Sequence, residues 1–319
     1  MPQTLSEQIL SHAAGRPVYA GELAVVDVGR AMTVDSIAPE VIDVLETKLG
    51  ISKVPYPERC AMFIDHVAPA SNVASAEGQN RTRVFAREQG IAALYDSGSG
   101  ICHQLMVEEK LVHPGMVAVG SDSHSTTYGA IAAFGTGMGA TDIALAFATG
   151  RTWLRVPETV RVDLAGELGR RVDAKDVVLH LLGRVGADGF TYRAVEFHGA
   201  EGLSLGSRMT LCSMTTEMGA KTGLVPPDAE TRSFIEVPEW LRVEVQAEYL
   251  DQFSVELGAI VPMVARPHRV DDVAPARSLS DIRVDQVFLG TCTNGRLQDM
   301  HAAAEILRGH TIAPGVRMI

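Results

Sequence analysis

The chain has 319 residues, of which 46% are hydrophobic and 21% charged, a composition typical of a globular protein with two or three domains. Its net charge of −11 disfavours nonspecific nucleic-acid binding, which depends on a cationic surface. No run of 18 apolar residues and no secretory leader are visible, so we expect neither a membrane span nor export. The four cysteines lack CxxC spacing, which favours reduced thiols and a cytoplasmic location.

The first 157 residues alternate short apolar strands with helical stretches, which predicts a first α/β domain. Ser6 is the expected N-cap of an opening helix, which should end at Gly15. The other predicted elements are a buried strand at 62–64, a helix at 72–90, a strand at 116–120, a glycine-rich loop at 135–139 and a helix at 140–148.

A second α/β domain is predicted over residues 158–280. Its expected elements are an alternating strand at 160–164, a helix at 174–185, a strand at 194–198, a helix at 204–219 and a proline-bearing linker at 265–280. A third unit, 281–319, has an apolar strand at 284–289, a helix at 298–307 and the opening of a strand at 316–319. We therefore expect the chain to be a fragment of a longer subunit.

Histidines and carboxylates follow the predicted strands. Asp65 and His66 follow one strand, and Asp122, Ser123 and His124 follow another. Ligands in open α/β sheets gather at the carboxyl ends of strands, where a carboxylate can orient an imidazole as an acid or base. Each histidine alone is more often structural, but several at predicted loop edges, with His103 at a glycine-flanked turn, strengthen the case for catalysis.

Two further residues bear reactive groups in suggestive positions. Cys292 lies between a strand and a helix, where free backbone N–H groups would stabilise a thiolate able to ligate an iron–sulfur cluster. The alternative is a small buried cysteine at a tight turn. Glu217 lies in an apolar helical stretch, so it is either a buried acid–base group with a raised pKa or part of a solvated face. The glycines at 135, 137 and 139 do not match a dinucleotide fingerprint.

Four segments together resemble the aconitase superfamily, and within it the large subunits of 3-isopropylmalate dehydratases. They are residues 64–66 (Ile-Asp-His), 98–104 (Gly-Ser-Gly-Ile-Cys-His-Gln), 120–125 (Gly-Ser-Asp-Ser-His-Ser) and 290–296 (Gly-Thr-Cys-Thr-Asn-Gly-Arg). The similarity runs from about residue 20 to the last residue. It implies an aconitase-like α/β/α fold around a central cluster-binding cleft.

The resemblance also implies a [4Fe–4S] hydro-lyase of the leucine-biosynthesis type, which isomerises a hydroxy-dicarboxylate or hydroxy-tricarboxylate by dehydration and rehydration. A small swivelling-domain subunit would supply a base serine and a specificity loop. Carried over by position, the implied roles are a cluster ligand (Cys292), substrate contacts (Ser123 and, at the cluster pocket, Asn294) and three catalytic pairs (Asp65 with His66, His103 with Glu217, Asp122 with His124).

The sequence departs from the family pattern in three respects. The CxxC that supplies two further cluster cysteines and the substrate-binding arginines beyond it are absent, so we expect this chain alone to be inactive. Val34 stands where relatives often carry a polar, substrate-contacting residue, and Ser213 stands where many carry asparagine. Other substrates, as in homoaconitase or a methylmalate-type hydro-lyase, remain alternatives. So does a cluster-free, non-catalytic module and, more distantly, a dinucleotide-dependent dehydrogenase.

Overall fold

The computed structural model describes residues 1–319 and contains nine α-helices. They are α1 (Leu5–Ala14), α2 (Ala38–Asp43), α3 (Val73–Gln89), α4 (Cys102–Glu108), α5 (Ala140–Thr149), α6 (Ala174–Val185), α7 (Leu205–Ser213), α8 (Ala229–Phe234) and α9 (Leu297–Leu307). None of them combines the length and apolar character that crossing a membrane would require. Two 3-10 segments, Ser123–Ile131 and Met214–Met218, carry residues of the predicted site.

Fifteen strands complete the secondary structure. They are β1 (Leu23–Asp27), β2 (Arg30–Val34), β3 (Cys60–Phe63), β4 (Ala93–Tyr95), β5 (Val117–Gly120), β6 (Phe134–Gly137), β7 (Arg151–Arg155), β8 (Thr159–Ala165), β9 (Ala194–His198), β10 (Thr222–Leu224), β11 (Asp251–Glu256), β12 (Met263–Ala265), β13 (Val273–Pro275), β14 (Gln286–Val287) and β15 (Arg317–Met318). With helices between parallel strands, the predicted α/β class is confirmed.

A five-stranded parallel sheet in the order β4-β3-β2-β5-β6 organises the first half of the chain. The strand order reverses between β2 and β5, because β3 and β4 extend the sheet on one side and β6 on the other. Side chains that follow β2, β3 and β5 therefore meet at one edge, beside the topological switch point where α/β folds bind ligands. This topology brings the residues after β3 and β5 together.

A second parallel sheet, in the order β10-β9-β8-β11, organises residues 159–256. It joins the first half through the segment Ser123–Ile131, since the Val225 N–H donates to the Gly129 carbonyl at 2.9 Å. One cluster of 39 buried residues includes side chains from both sheets, among them Phe63 and Phe197. The predicted domain boundaries at residues 157 and 280 stay a prediction.

The first helix begins two residues earlier than predicted. Thr4, not Ser6, is the N-cap of α1: its hydroxyl accepts from the Glu7 N–H, and the Glu7 carboxylate accepts from the Thr4 N–H at 2.9 Å. This reciprocal capping box requires a Glu three residues after the cap, which only Thr4 has. Ser6 is buried within the helix instead, with its hydroxyl 2.9 Å from that of Thr159.

Three observed elements differ from the predicted ones, because tertiary contacts override the local sequence signals. The glycine-rich stretch at 135–139 is not wholly a loop, since residues 134–137 pair with β5 as strand β6. The expected linker at 265–280 contains β13, which pairs with β12 in an antiparallel hairpin, and Met263 N–H donates to Asp176 Oδ1 on α6 at 2.7 Å. The expected helix at 204–219 ends at Ser213 and continues as a 3-10 turn.

Residues 281–319 have few strand pairs and no buried residues, unlike the rest of the chain. The strand expected at 284–289 forms ladder pairs only over β14, which lies parallel to β15. The predicted helix is found as α9. No residue of the range 281–319 is buried, in contrast to the two cores that precede it.

Candidate active site

Asp122 lies at the centre of the histidine cluster. It follows β5 and caps the segment Ser123–Ile131, where its Oδ1 accepts from the His124 N–H at 2.8 Å. The same oxygen lies 2.7 Å from His103 Nε2, and Oδ2 lies 3.1 Å from His66 Nε2. Burial would raise the pKa of Asp122, but the hydrogen bonds from His103, His124 and His66 outweigh it and hold that pKa well below its usual range. One carboxylate thus organises three imidazoles.

His66 lies between two carboxylates. Its Nδ1 is 2.8 Å from Asp65 Oδ1, while its Nε2 faces Asp122. The hydrogen bonds to Asp122 and then to Asp65 raise the pKa of His66 to about 10. Burial opposes ionisation of Asp65, but hydrogen bonds from His66 and from the Cys102 N–H (2.7 Å) lower the pKa of Asp65 overall. His66 is therefore an imidazolium at neutral pH.

His124 links this cluster to Glu217. Its Nδ1 lies 3.6 Å from Asp122 Oδ1, and its Nε2 lies 3.4 Å from Glu217 Oε1. Hydrogen bonds to Asp122 and then to Glu217 raise the pKa of His124 to about 10. The same bond lowers the pKa of Glu217, so the raised pKa considered from the sequence is wrong. Glu217 is a paired, ionised carboxylate rather than a protonated buried acid.

Of the three pairs that the family resemblance implied, Asp65 with His66 and Asp122 with His124 are in contact, whereas His103 and Glu217 each have another partner. His103 pairs with Asp122 and places its Nδ1 3.2 Å from the Tyr128 hydroxyl, whereas Glu217 pairs with His124. The reason is the position of α4, which packs against the segment Ser123–Ile131 and directs the buried His103 ring toward Asp122. The rings of His103 and His124 have their centroids 6.3 Å apart.

Cys292 lies in the same cleft as His124 and Glu217. It is half-buried and lines a cavity of about 810 Å³ together with His124, Glu217 and Asn294. The sequence placed Cys292 directly at a helix N-terminus. In the structure it lies five residues before α9, in a loop whose Gly295 and Arg296 N–H groups donate to the Asp299 carboxylate at 2.9 and 2.8 Å.

The Arg296 side chain connects the Cys292 loop to α4 and α7 through hydrogen bonds. It donates to the Cys292 carbonyl at 3.3 Å, to the Thr210 hydroxyl of α7 at 3.1 Å and to the Gln104 carboxamide of α4 at 3.0 Å. Burial lowers the pKa of Arg296, and no carboxylate forms an ion pair with it. Arg296 belongs to the motif at residues 290–296, but its role could not be predicted from the sequence, because contacts across so many intervening residues leave no local signal.

The positions of the four cysteines show whether residues 1–319 could hold a cubane iron–sulfur cluster. Cys60, Cys102 and Cys212 are fully buried in other elements, at the starts of β3 and α4 and near the end of α7. Burial raises the pKa of Cys60 to about 12 and raises the pKa values of Cys102 and Cys212 strongly. Because cubane clusters are held by three or four protein ligands, usually thiolates, one cavity-facing thiol does not fit a complete [4Fe–4S] cluster.

Asp65, His66 and Cys102 form the one group of three potential metal ligands, with ligand atoms within 4.8 Å of one another. Asp65 and His66 are already hydrogen-bonded to each other, and the buried Cys102 thiol is protonated. These contacts favour a hydrogen-bonded cluster over an ion at this position.

The four remaining residues that the sequence singled out lie in different surroundings. Asn294 lines the Cys292 cavity, and its Oδ1 is buried without a hydrogen-bond partner. Ser123 lines a neighbouring cavity instead, with its hydroxyl 3.4 Å from His124 Nδ1. Val34 is 1% exposed and belongs to the core, so its side chain does not reach the cleft. The Ser213 hydroxyl is buried and unpartnered.

Two residues that support the histidine cluster, Asp35 and Tyr128, were not predicted from the sequence. Asp35 follows β2 at the same sheet edge, and its Oδ1 accepts from the His66 N–H at 2.9 Å. An Asp directly after an apolar strand was the available signal. Tyr128 is fully buried against His103, and nothing in its sequence neighbourhood points to that contact.

Comparison with known proteins identifies the family of the chain. The model of the aconitase family (aconitate hydratase) matches residues 20–280 and 272–319. A homoaconitase large subunit of Thermus thermophilus is 52% identical over 322 aligned residues, which cover 100% of this chain and 76% of that protein. The 3-isopropylmalate dehydratase large subunit 1 of Deinococcus radiodurans is 51% identical, covering 100% and 73%, and the large subunit of Herpetosiphon aurantiacus is 50% identical, covering 100% and 76%. The resemblance seen in the motifs is confirmed, and the chain belongs to the aconitase family.

Proposed function

We propose that this chain is the large subunit of a cytoplasmic hydro-lyase that isomerises 3-isopropylmalate by dehydration and rehydration, a step of leucine biosynthesis. The observation that carries the proposal is the convergence of His66, His103 and His124 on Asp122, beside a cavity that the Cys292 thiol also lines. The names of two close relatives, 3-isopropylmalate dehydratase large subunits, supply the substrate.

The histidine cluster can supply the acid that a dehydration requires. A hydroxyl leaves as water when an acid protonates it, and a base must accept the proton from the neighbouring carbon. His66 and His124 each hold a proton at neutral pH, because their pKa values are raised to about 10. We assign the His66 imidazolium, oriented by Asp65 and Asp122, to protonation of the departing hydroxyl. Rehydration returns that proton to His66.

The aconitase family implies an iron–sulfur group, and we propose that it is a [4Fe–4S] cluster. When bound, such a group supplies a Lewis acid for the substrate oxygens. Cys292 is the residue of this chain that would reach it, with Asn294 beside it. The other ligands that a cubane needs are not among residues 1–319, so we expect this chain alone to be inactive.

We also propose a small swivelling-domain subunit as partner, since the relatives are named large subunits. It would contribute the carbon base and close the cleft around the substrate. Of the predicted roles, those of Ser123 and Asn294 in contacting substrate and those of His103 and Glu217 in catalysis are retained in this proposal.

The test is turnover by the complete, anaerobically reconstituted heteromer with 3-isopropylmalate, followed by the ultraviolet absorbance of the unsaturated intermediate. Replacing Asp122 by Asn removes the carboxylate that orients His66 and stabilises its charge. It should lower kcat by at least about 100-fold, because a general acid contributes on the order of 10² to 10⁴ in rate. Asp27→Asn, on the exposed strand β1, is the matched control and should retain activity. Full activity of the Asp122 variant would contradict the assignment.

A second candidate substrate follows from the 52% identity to a homoaconitase large subunit. The same preparation assayed with homoaconitate separates the two, because the higher kcat/KM identifies the substrate. A cluster-free, non-catalytic module is the remaining alternative, and the single cavity-facing thiol favours it. Absence of bound iron in the reconstituted heteromer would support that alternative.

A further inference from the structure

A second recess adjoins the candidate active site without sharing its ionisable residues. Ser123 lines this recess, while the next residue, His124, lines the Cys292 cavity; Thr216 and Glu217 divide in the same way. The recess has a volume of about 450 Å³ and continues into a smaller cavity of about 310 Å³. Both are lined by Gly139, Tyr192 and Lys221, so we call them together the Lys221 recess.

Lys221 gives this recess a positive charge that no ion pair neutralises. Its ammonium reaches only the Gly137 carbonyl, at 3.5 Å, and lies 5.7 Å from the centroid of the Tyr192 ring. It forms no ion pair; Asp142 acts on it only at longer range. Burial lowers the pKa of Lys221, which is the expected result for a cation that is removed from water without a counterion.

The remaining wall offers hydrogen-bond donors and no carboxylate beyond Asp142. Thr136 is 1% exposed, and its hydroxyl and that of Thr216 make no hydrogen bond within the protein, so both are available to an occupant. The Arg155 guanidinium lies 5.3 Å from the Tyr192 ring and adds positive charge near the recess. The two cations give the recess a positive local potential, which is unusual in a protein of net charge −11.

We propose that the Lys221 recess binds a small organic acid, with one carboxylate on the Lys221 ammonium and the hydroxyls of Thr136 and Thr216. A single cation flanked by neutral hydroxyl donors matches the single charge of a carboxylate. Phosphate, which carries nearly two charges at neutral pH, is usually met by several cationic or backbone donors. The site goes beyond the proposed function, because none of its charged groups belongs to the Asp122 cluster and Ser123 is the one candidate active-site residue that also lines it.

The test is calorimetric titration of the 319-residue chain with malonate, with inorganic phosphate as the competing anion at matched ionic strength. Lys221→Met keeps the length of the side chain and removes its charge, so malonate should bind at least about 10-fold more weakly, as expected for loss of a hydrogen bond to a charged group. Lys221→Arg retains the charge and should restore most of the affinity. Lys53→Met, at an exposed lysine that donates to the Glu88 carbonyl, should change nothing.

A second variant tests the recess by shape rather than by charge. Gly139 has φ −71°, a conformation open to any residue, and a Cβ added there would meet nothing within 4 Å. Gly139→Leu should therefore fold and should weaken malonate binding by filling the space.

Malonate affinity that is unchanged in both Lys221→Met and Gly139→Leu overturns the proposal, as does a wild-type chain that binds no malonate. Tighter binding of phosphate than of malonate overturns the ligand class. Asp122→Asn, which should lower turnover of the heteromer by at least about 100-fold, should leave malonate binding to the Lys221 recess intact. Failure of the proposed function and failure of this site are therefore distinguishable.

Discussion

The charge on His66 depends on two carboxylates that the fold brings from different strands. Its pKa of about 10 exceeds the ordinary value of 6.5. Because the folded-state pKa is raised, the resulting stabilisation is fully present below pH 6.5 and is lost as the pH rises through 10. The imidazolium form is therefore the state in which His66 acts throughout the neutral range.

We predict that Asp122→Asn lowers the pKa of His66 by more than one unit, because it replaces the larger of the two stabilising hydrogen bonds and leaves that from Asp65. Titration of the His66 imidazole by NMR measures the change directly. Asp65→Asn should lower the pKa by less and serves as the matched variant. A wild-type His66 that titrates near pH 6.5 would contradict the arrangement.

The residue types of the site could be predicted from the sequence, but their partners could not. Asp65, His66, Asp122 and His124 follow apolar strands, and the carboxyl ends of parallel strands share an edge, so their convergence was foreseeable. The choice between Asp122 and Glu217 as partner of His103 depends on how α4 packs against the segment Ser123–Ile131. Such packing is set by tertiary contacts and leaves no trace in local spacing.

The segment Ser123–Ile131 connects the two sheets. It packs on β10 and α7, and its position requires a residue without a side chain at Gly129, where an added Cβ would overlap the Gly223 carbonyl of β10. Because that neighbour is backbone in a sheet, it cannot move aside as a flexible side chain would.

We predict that Gly129→Ala lowers the free energy of unfolding by about 3 kcal/mol, the upper range of overpacking costs in a close-packed interior. Urea unfolding followed by circular dichroism measures the difference. Gly202→Ala, where an added Cβ meets nothing within 4 Å, should stay within about 0.5 kcal/mol of the wild type. Equal stability of the two variants would show that the connection between the two sheets is looser than the structure indicates.

The limits of helices and strands that have clear capping residues or apolar patterns could be predicted from the sequence to within a residue. The helix α3 begins after Asn72 and ends before Gly90 because the asparagine caps the Ser75 N–H and the glycine adopts φ 77°. The helix α6 and the strand β9 have the predicted limits. Strand β6 did not follow from its glycines, because it exists through pairing with β5 and through close contact of Gly135 with the Ser125 backbone.

The four thiols differ in whether they lie inside the hydrophobic cores of the protein. Cys60 is 2% exposed, and Cys102 and Cys212 are 0% exposed, whereas Cys292 lies in the sparsely packed range 281–319 and borders an open cavity. The thiols buried in the cores become accessible only when a core opens, while Cys292 needs no such opening.

We predict that an aromatic disulfide reagent modifies one thiol per native chain within minutes and all four in denaturant. Thiolate character and access together set this rate, and burial denies both to Cys60, Cys102 and Cys212. In Cys292→Ser the fast phase should vanish, and the remaining three thiols should react at the rate of core opening. A fast phase that survives this substitution would place a second accessible thiol in the cleft, and it would reopen the conclusion that residues 1–319 offer a cluster only one ligand.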